Sequence, residues 1–345
     1  MSTPPVPGET GDREPVRTPS SSSPAPEPPP RSARHVVYLL FPYLPALVPA
    51  AIVVAIAATL IYASGLHNFG LAFFGLTFNS NTTEAGQFAP GMLVFIIGSF
   101  LTAVPALILS MGIGLGIAIA STTYVPPFLA KILDPFVDLL AGIPSVVYGI
   151  WAFIVVAPIF GTMINPWVVL HFSFLPGFAA HNTPPVSPTS SGIGLPIAIF
   201  VLTLMALPIT TLLIRDALRS IPRDLWESGL ALGATRWEVV RRVSLRYGSR
   251  GIFSAAFLGF GRAIGETVAV AMVIGSVVRI PVNVYDSTWT MSTFMFQILD
   301  AAFGNSLYLS ALAELALVLL AITFAVNLLG RRLVSHIYAE EVPGL

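Results

Sequence analysis

Residues 215–251 read RDALRSIPRDLWESGLALGATRWEVVRRVSLRYGSRG, and the sequence turns abruptly apolar on both sides of them. Before them, 193–214 contains no charged residue; after them, 252–278 contains only Arg262 and Glu266. A helix needs about 20 apolar residues to cross the hydrocarbon core of a bilayer, and both flanks meet that length. Four more segments do so: 36–64, 92–120, 139–164 and 307–329, the last containing Glu314. Backbone polar groups in lipid must be satisfied within the segment, so such runs are helices. The sequence therefore predicts an all-α membrane protein with six transmembrane helices. Pro45, Pro49, Pro105, Pro144, Pro158 and Pro208 fall within the spans and predict kinks or breaks facing the bundle.

The arginine-rich segment also sets the expected orientation. With the N-terminus placed inside and the spans alternating, Arg279 is the single basic residue of 17 that falls outside, and Arg262 the single one within the membrane. The positive-inside rule then puts both termini in the cytoplasm of a multi-pass plasma-membrane protein. The outside loops become 65–91, 165–192 and 279–306. His171 and His181 lie in the second of these; no further ligands stand nearby at useful spacing, so they read as solvated loop histidines and no metal site is expected.

Composition agrees with lipid as the solvent. The chain is 55% hydrophobic and 10% charged, against about 25% charged residues in an average soluble protein. Its net charge of zero suggests no nucleic-acid partner, and the absence of cysteine removes disulfides, thiolate metal sites and cysteine nucleophiles. The sole lysine, Lys131, sits in PPFLAKI, with no glycine-rich lead, so no standard ATP-binding loop is present and no cofactor is expected. Residues 1–35 are rich in Pro and Ser and poor in large apolar groups. They read as a disordered cytoplasmic tail, since such a segment cannot bury enough surface to offset its ordering entropy. The remaining organisation is a first span and external loop over 36–90, a main membrane domain over 91–332, and a cytoplasmic tail over 333–345.

Within the arginine-rich segment, Trp226 and Leu230 can share a face with Trp237 and Val240 if it folds as two short helices hinged at Gly233, where glycine permits a backbone other residues resist. By pattern alone this could be an amphipathic element lying on anionic lipid. The spacing, however, resembles the EAA loop of ABC importer permeases, which runs Glu-Ala-Ala, three residues, Gly, nine residues, then Ile-x-Leu-Pro. Glu227 stands at the glutamate, Ser228 and Gly229 at the two small residues, Gly233 at the glycine, and Val243 and Leu245 at the Ile and Leu; Arg246 replaces the proline. The resemblance implies a coupling loop over 216–250 that seats on an ATPase subunit.

Three further stretches narrow the family: GIPSVVYG at 142–149, LPITT at 207–211 followed by RDAL, and GRAIGETVAV at 261–270. With the EAA-like loop they resemble the phosphate-specific transporter permeases of the PstA/PstC family, the PstC type in particular, over roughly 91–332. That resemblance implies a MetI-like fold and a non-catalytic subunit. It also implies four kinds of partner: a second permease of the PstA type, two ATP-binding subunits of the PstB type, an extracytoplasmic phosphate-binding protein of the PstS type, and phosphate itself. A permease for another oxyanion, sulfate or molybdate, is the nearest alternative; a secondary transporter or channel would explain the spans but not the EAA-like loop.

The charged residues of the fifth span carry a reading of their own. Arg262 lies 11 residues past Gly251, or about 16 Å along a helix rising 1.5 Å per residue. A charge at that depth costs about 2.5 to 3.5 kcal/mol on insertion scales, so it should face the bundle and have a partner. Glu266, four residues on, is expected on the same helix face. The two either form a structural ion pair, or Arg262 meets an anion in transit, with Glu266 and Thr267 beside it on the translocation path. Gly261 and Gly265 form a G-x-x-x-G step for close helix packing, within the chain or against the partner permease. Glu314 is expected to face the bundle.

Overall fold

The computed structural model describes residues 44–64, 78–79, 89–178 and 191–341. The expected tail over 1–35, the start of the first span and His181 lie outside these. Helix α1 (Leu44–Ser64) carries no charged side chain. It crosses the boundary between two compact units, Met1–Val54 and Ala55–Leu345. In the second unit, strands β1 (Phe78–Asn79) and β2 (Ala89–Pro90) form a two-residue antiparallel ribbon. Among the described residues after it, the chain is helical or loop apart from a single parallel bridge between Gly275 and Thr288.

Helix α2 (Leu93–Ile119) continues through a π turn to Tyr124. A separate helix, α3 (Pro127–Gly142), follows. Helix α4 runs over Ser145–Phe172 with two π turns, and α5 over Leu195–Arg219. Then come α6 (Arg223–Ala231), α7 over 236–247 with a π turn at its centre, α8 (Ser249–Gly265), α9 (Val268–Val273), α10 (Met291–Ala302) and α11 (Ser306–Glu341). Helix α5 is the axis of the second unit. It packs along α2 and α8 and touches α3 near its end.

Small residues allow those contacts. A Cβ at Gly114 of α2 would meet the Thr211 hydroxyl at 3.0 Å, and one at Gly259 of α8 would meet the Thr210 methyl at 2.8 Å. Thr210 also bonds to the Ser110 carbonyl across the α2–α5 contact, at 3.4 Å. Outward, the helices expose large apolar side chains such as Ile108, Ile154, Met163 and Phe324. So much contiguous apolar surface is not tolerated in water; it is the surface a lipid solvent requires.

Among the described residues, five helices are long and apolar enough to span: those beginning at Leu47, Leu93, Ser145, Leu195 and Tyr308. Three expectations need correction. The third span begins at Ser145, not 139, because Ile143 and Pro144 are extended and end α3 at Gly142; the residue before a proline is steered away from helix. The Tyr148 hydroxyl bridges this break by donating to the Leu140 carbonyl at 2.9 Å. The fifth span is not one helix. Glu266 is extended (φ −70, ψ 131) and separates α8 from α9. The freed backbone there is satisfied internally: the Ser292 hydroxyl donates to the Glu266 carbonyl at 2.7 Å, and the Thr267 hydroxyl to the Gly265 carbonyl at 3.3 Å. Non-helical backbone at membrane depth survives where protein covers it in this way.

The third correction concerns the loops. Residues 165–172 and 291–302 are helical rather than loop, and the last helix, Ser306–Glu341, runs on past the expected end of the sixth span at 329. His171 thus lies in the last turn of α4, stacked on Trp167 with ring centroids 4.5 Å apart. The segment between α9 and α10 is folded inward. Tyr285, Asp286 and Thr288 are buried; Asp286 pairs with Arg279 and accepts the backbone N–H groups of Val282 and Asn283 at 2.9 and 3.0 Å.

Candidate functional site: the arginine-rich arm and the broken helix

Helices α6 and α7 form an arm at the arginine-rich end. Leu232 and Gly233 end α6, with the Gly233 N–H donating to the Leu230 carbonyl at 2.9 Å and Gly233 at φ 83. That left-handed conformation suits glycine, which has no Cβ to clash with the carbonyl. Two residues later, Thr235 opens α7 with a capping box: the Glu238 N–H donates to the Thr235 hydroxyl, and the Thr235 N–H to the Glu238 carboxylate at 2.8 Å. These bonds satisfy backbone donors that a helix start leaves free, and they hold the Glu238 carboxyl below its usual range.

The small residue at position 229 has a clear physical reason. A Cβ on Gly229 would meet Val239 at 3.0 Å, so α6 and α7 lie against each other at that point. Trp226, Val240 and Leu245 turn inward onto a small core with Ile214 and Leu218 of α5. Val243 is half-buried, and Glu227 and Ser228 are exposed. The expected common face of four residues divides: Trp226 and Val240 go to the core, while Leu230 and Trp237 stay exposed beside Leu225 and Leu232. Leu232 is 89% exposed, which leaves an apolar tip on an otherwise charged arm.

One contact anchoring this end was not legible in the sequence. Asp134 of α3 reaches Arg219 of α5 at 2.7 Å and Arg215 at 3.4 Å. Arg215 is 2% exposed, and its Nε and Nη2 have no hydrogen-bond partner. The available signal was a pair of acidic residues, Asp134 and Asp138, within an apolar stretch between two proline punctuations.

At the broken helix, Arg262 is exposed and Glu266 half-buried. Both lie close to Leu202, Met205 and Ala206 of α5. No salt bridge joins them among the described residues. The expected four-residue helical relation fails because Glu266 lies past the end of α8. Tyr148 lies within electrostatic reach of Arg262. Added Cβ atoms at Gly261 and Gly265 would meet nothing within 4 Å. Among the described residues, nothing fills the space beside the G-x-x-x-G step. Glu314 is fully buried, as expected of a charge kept from lipid.

The discontinuous helix, the long axial helix and the two-helix arm belong to a fold shared with solved ABC transporters. Solved structures with this fold include a bacterial alginate ABC transporter bound to its alginate-loaded periplasmic protein (TM-score 0.60, 15% identity, 89% of this chain and 98% of that one). They also include an inward-facing MetNI methionine ABC transporter (TM-score 0.50, 19% identity, 72% of this chain and 98% of that one). At such identities the likeness concerns the fold alone.

The chain belongs to the family of binding-protein-dependent transport system inner membrane components, whose model matches residues 112–337. Relatives include proteins named phosphate transport system permease protein PstC. The one from Mesorhizobium japonicum is 36% identical over 263 residues, 76% of this chain and 77% of its own. That from Xylella fastidiosa strain Temecula1 is 35% identical over 252 residues, 73% and 76% respectively. PstC 1 of Mycobacterium tuberculosis is 35% identical over 263 residues, 73% and 75%.

Proposed function

We propose that this chain is the membrane-spanning, non-catalytic permease subunit of an ATP-driven phosphate importer. The observation that carries the reading is the hinged α6–α7 arm with its exposed apolar tip, joined to the axial helix α5 by a shared core. An arm of that build suits transmission of a rigid-body movement from an ATPase subunit to the bundle. The open Gly261–Gly265 face of α8 suits close approach of a second permease helix. The names of the PstC relatives support phosphate as cargo, and the family's description supports a binding protein as a partner. Radiolabelled phosphate uptake with and without this subunit tests the assignment. Loss of sulfate or molybdate uptake with phosphate uptake intact would replace phosphate by that oxyanion.

In this reading the arm and both termini are cytoplasmic. The chain lacks cysteine, so single introduced cysteines are clean probes. Cysteines at Ser20 and Ser249 should be shielded from an impermeant thiol reagent in intact cells, and one at Ser187 should react. Labelling at 249 but not at 187 would invert the topology.

Arg262 is assigned to the anion path, because a crossing phosphate needs compensating charge and a guanidinium fits its oxygens in a bidentate fork. A hydrogen bond to a charged group contributes about 1.5–3 kcal/mol, so Arg262→Gln should lower uptake about tenfold or more while assembly persists. Arg262→Lys keeps the charge but loses the fork and should fall between. The double variant Arg262→Gln with Glu266→Gln discriminates, since it removes any uncompensated charge. Near-normal uptake by a well-expressed double variant would defeat the anion contact and leave the two residues as scaffolding.

A further inference from the structure

At the arginine-rich end, a cavity of about 480 Å³ opens between the end of α2, helix α3, the end of α5 and the start of the arm. Lys131, Arg219 and Arg223 line it, and Asp134 is the one carboxylate among its lining residues. That carboxylate is already engaged: it bridges Arg219 and the buried Arg215. Arg215 stands behind Asp134 with two N–H-bearing nitrogens unpartnered. The cavity is therefore electropositive, with cations drawn from three separate elements. Arg223 begins α6, and Trp226 of the same helix forms part of the wall.

We propose that this basin is a binding site for a phosphoryl group, carried by free inorganic phosphate or by a lipid headgroup. The site is distinct from the path at Arg262, and its occupation ties α6 to α3 and α5. Two features point to this ligand. Three cations facing one already-neutralised carboxylate repel one another until an anion joins them, and arginine forks match phosphoryl oxygens. The consequence is mechanical: the arm's first turn is clamped when the site is filled and released when it is empty. The proposal leans on the functional reading above only for placing this end in the cytoplasm.

Lys131 is the sole lysine of the chain, so its reaction with an amine-acetylating reagent, followed at that peptide by mass spectrometry, reports on this cavity. The full chain is reconstituted in phosphatidylcholine nanodiscs free of phosphate. Adding inorganic phosphate at ten times its half-saturating concentration should slow Lys131 acetylation about tenfold, as occupancy requires, whereas chloride at matched ionic strength should not. In a second arm, phosphatidic acid replaces part of the lipid with no free phosphate present; protection there alone assigns the lipid source. Arg219→Gln with Arg223→Gln should abolish protection. Arg223→Gln alone, at an exposed helix start, should raise the half-saturating concentration several-fold and serves if the double variant assembles poorly. Arg262→Gln should leave protection intact, separating this site from the transport path. Unchanged Lys131 rates in both arms, or a half-saturating concentration that does not rise when Arg223 is replaced, would overturn the site. Loss of phosphate uptake as the assigned activity, with Lys131 protection retained, would instead overturn the transport reading alone.

Discussion

Asp134→Ala is expected to destabilise the chain by about 3 kcal/mol, near the lower end of the range for removing one partner of a buried ion pair. Arg215 is 2% exposed and sits 3.4 Å from Asp134, so loss of the carboxylate leaves a guanidinium charge with neither water nor a counter-charge. The lower end applies because Asp134 is itself 19% exposed and Arg219 half-solvated, which lets some water reach the pair. Thermal challenge of the detergent-solubilised protein, read by size-exclusion chromatography, measures the loss. A paired variant, Asp134→Leu with Arg215→Met, should recover most of the stability, because the buried charge then disappears with its partner. Equal thermal retention by wild type and Asp134→Ala would show that the contact carries little energy. Recovery failing in the paired variant would show that packing, rather than charge, holds α3 to α5.

Gly233→Pro should abolish phosphate uptake, to below about a tenth of wild type, while the protein stays in the membrane. Two costs coincide. Proline fixes φ near −65°, far from the φ of 83 that the hinge uses, and it lacks the N–H that Gly233 donates to Leu230. Together they displace α7 from α6 and disturb the turn around which Leu230, Leu232 and Trp237 stand exposed. Gly233→Ala keeps the donor and meets only the left-handed penalty of about 1–2 kcal/mol, so it should lose activity partly. Glu227→Arg, on the exposed face of α6, reverses a charge without disturbing the fold and should weaken co-purification of the ATPase. Normal ATPase recovery and normal uptake with Gly233→Pro would remove the coupling role of the arm. An element that merely rests on lipid would instead lose only peripheral attachment.

The arm illustrates how far local sequence reaches. Gly233 and the pair of short helices were legible because a glycine between two short amphipathic runs marks a turn that other residues resist, and the structure adds a capping box at Thr235. Which faces of those helices turn inward was not legible. Trp226 and Trp237 look alike in the sequence, yet only Trp226 finds the α5 core. The broken span shows the same limit. Arg262 and Glu266 at a spacing of four read as helical neighbours. Ser292, brought in from α10, accommodates the extended backbone of Glu266 by donating to its carbonyl.

The sequence by itself determined the membrane class, the bundle of apolar spans, the arginine-rich arm and the family. Each follows from contiguous or closely spaced residues: the bilayer demands an unbroken apolar length, and the loop pattern is a short fixed spacing. Tertiary structure alone decided that Asp134 meets Arg215 and Arg219, that Gly261 and Gly265 face open space while Gly259 packs on Thr210, and that three cations converge on one cavity. Those facts join residues far apart along the chain. Their energies arise from desolvation and close packing across helices, which local hydrophobic periodicity does not encode.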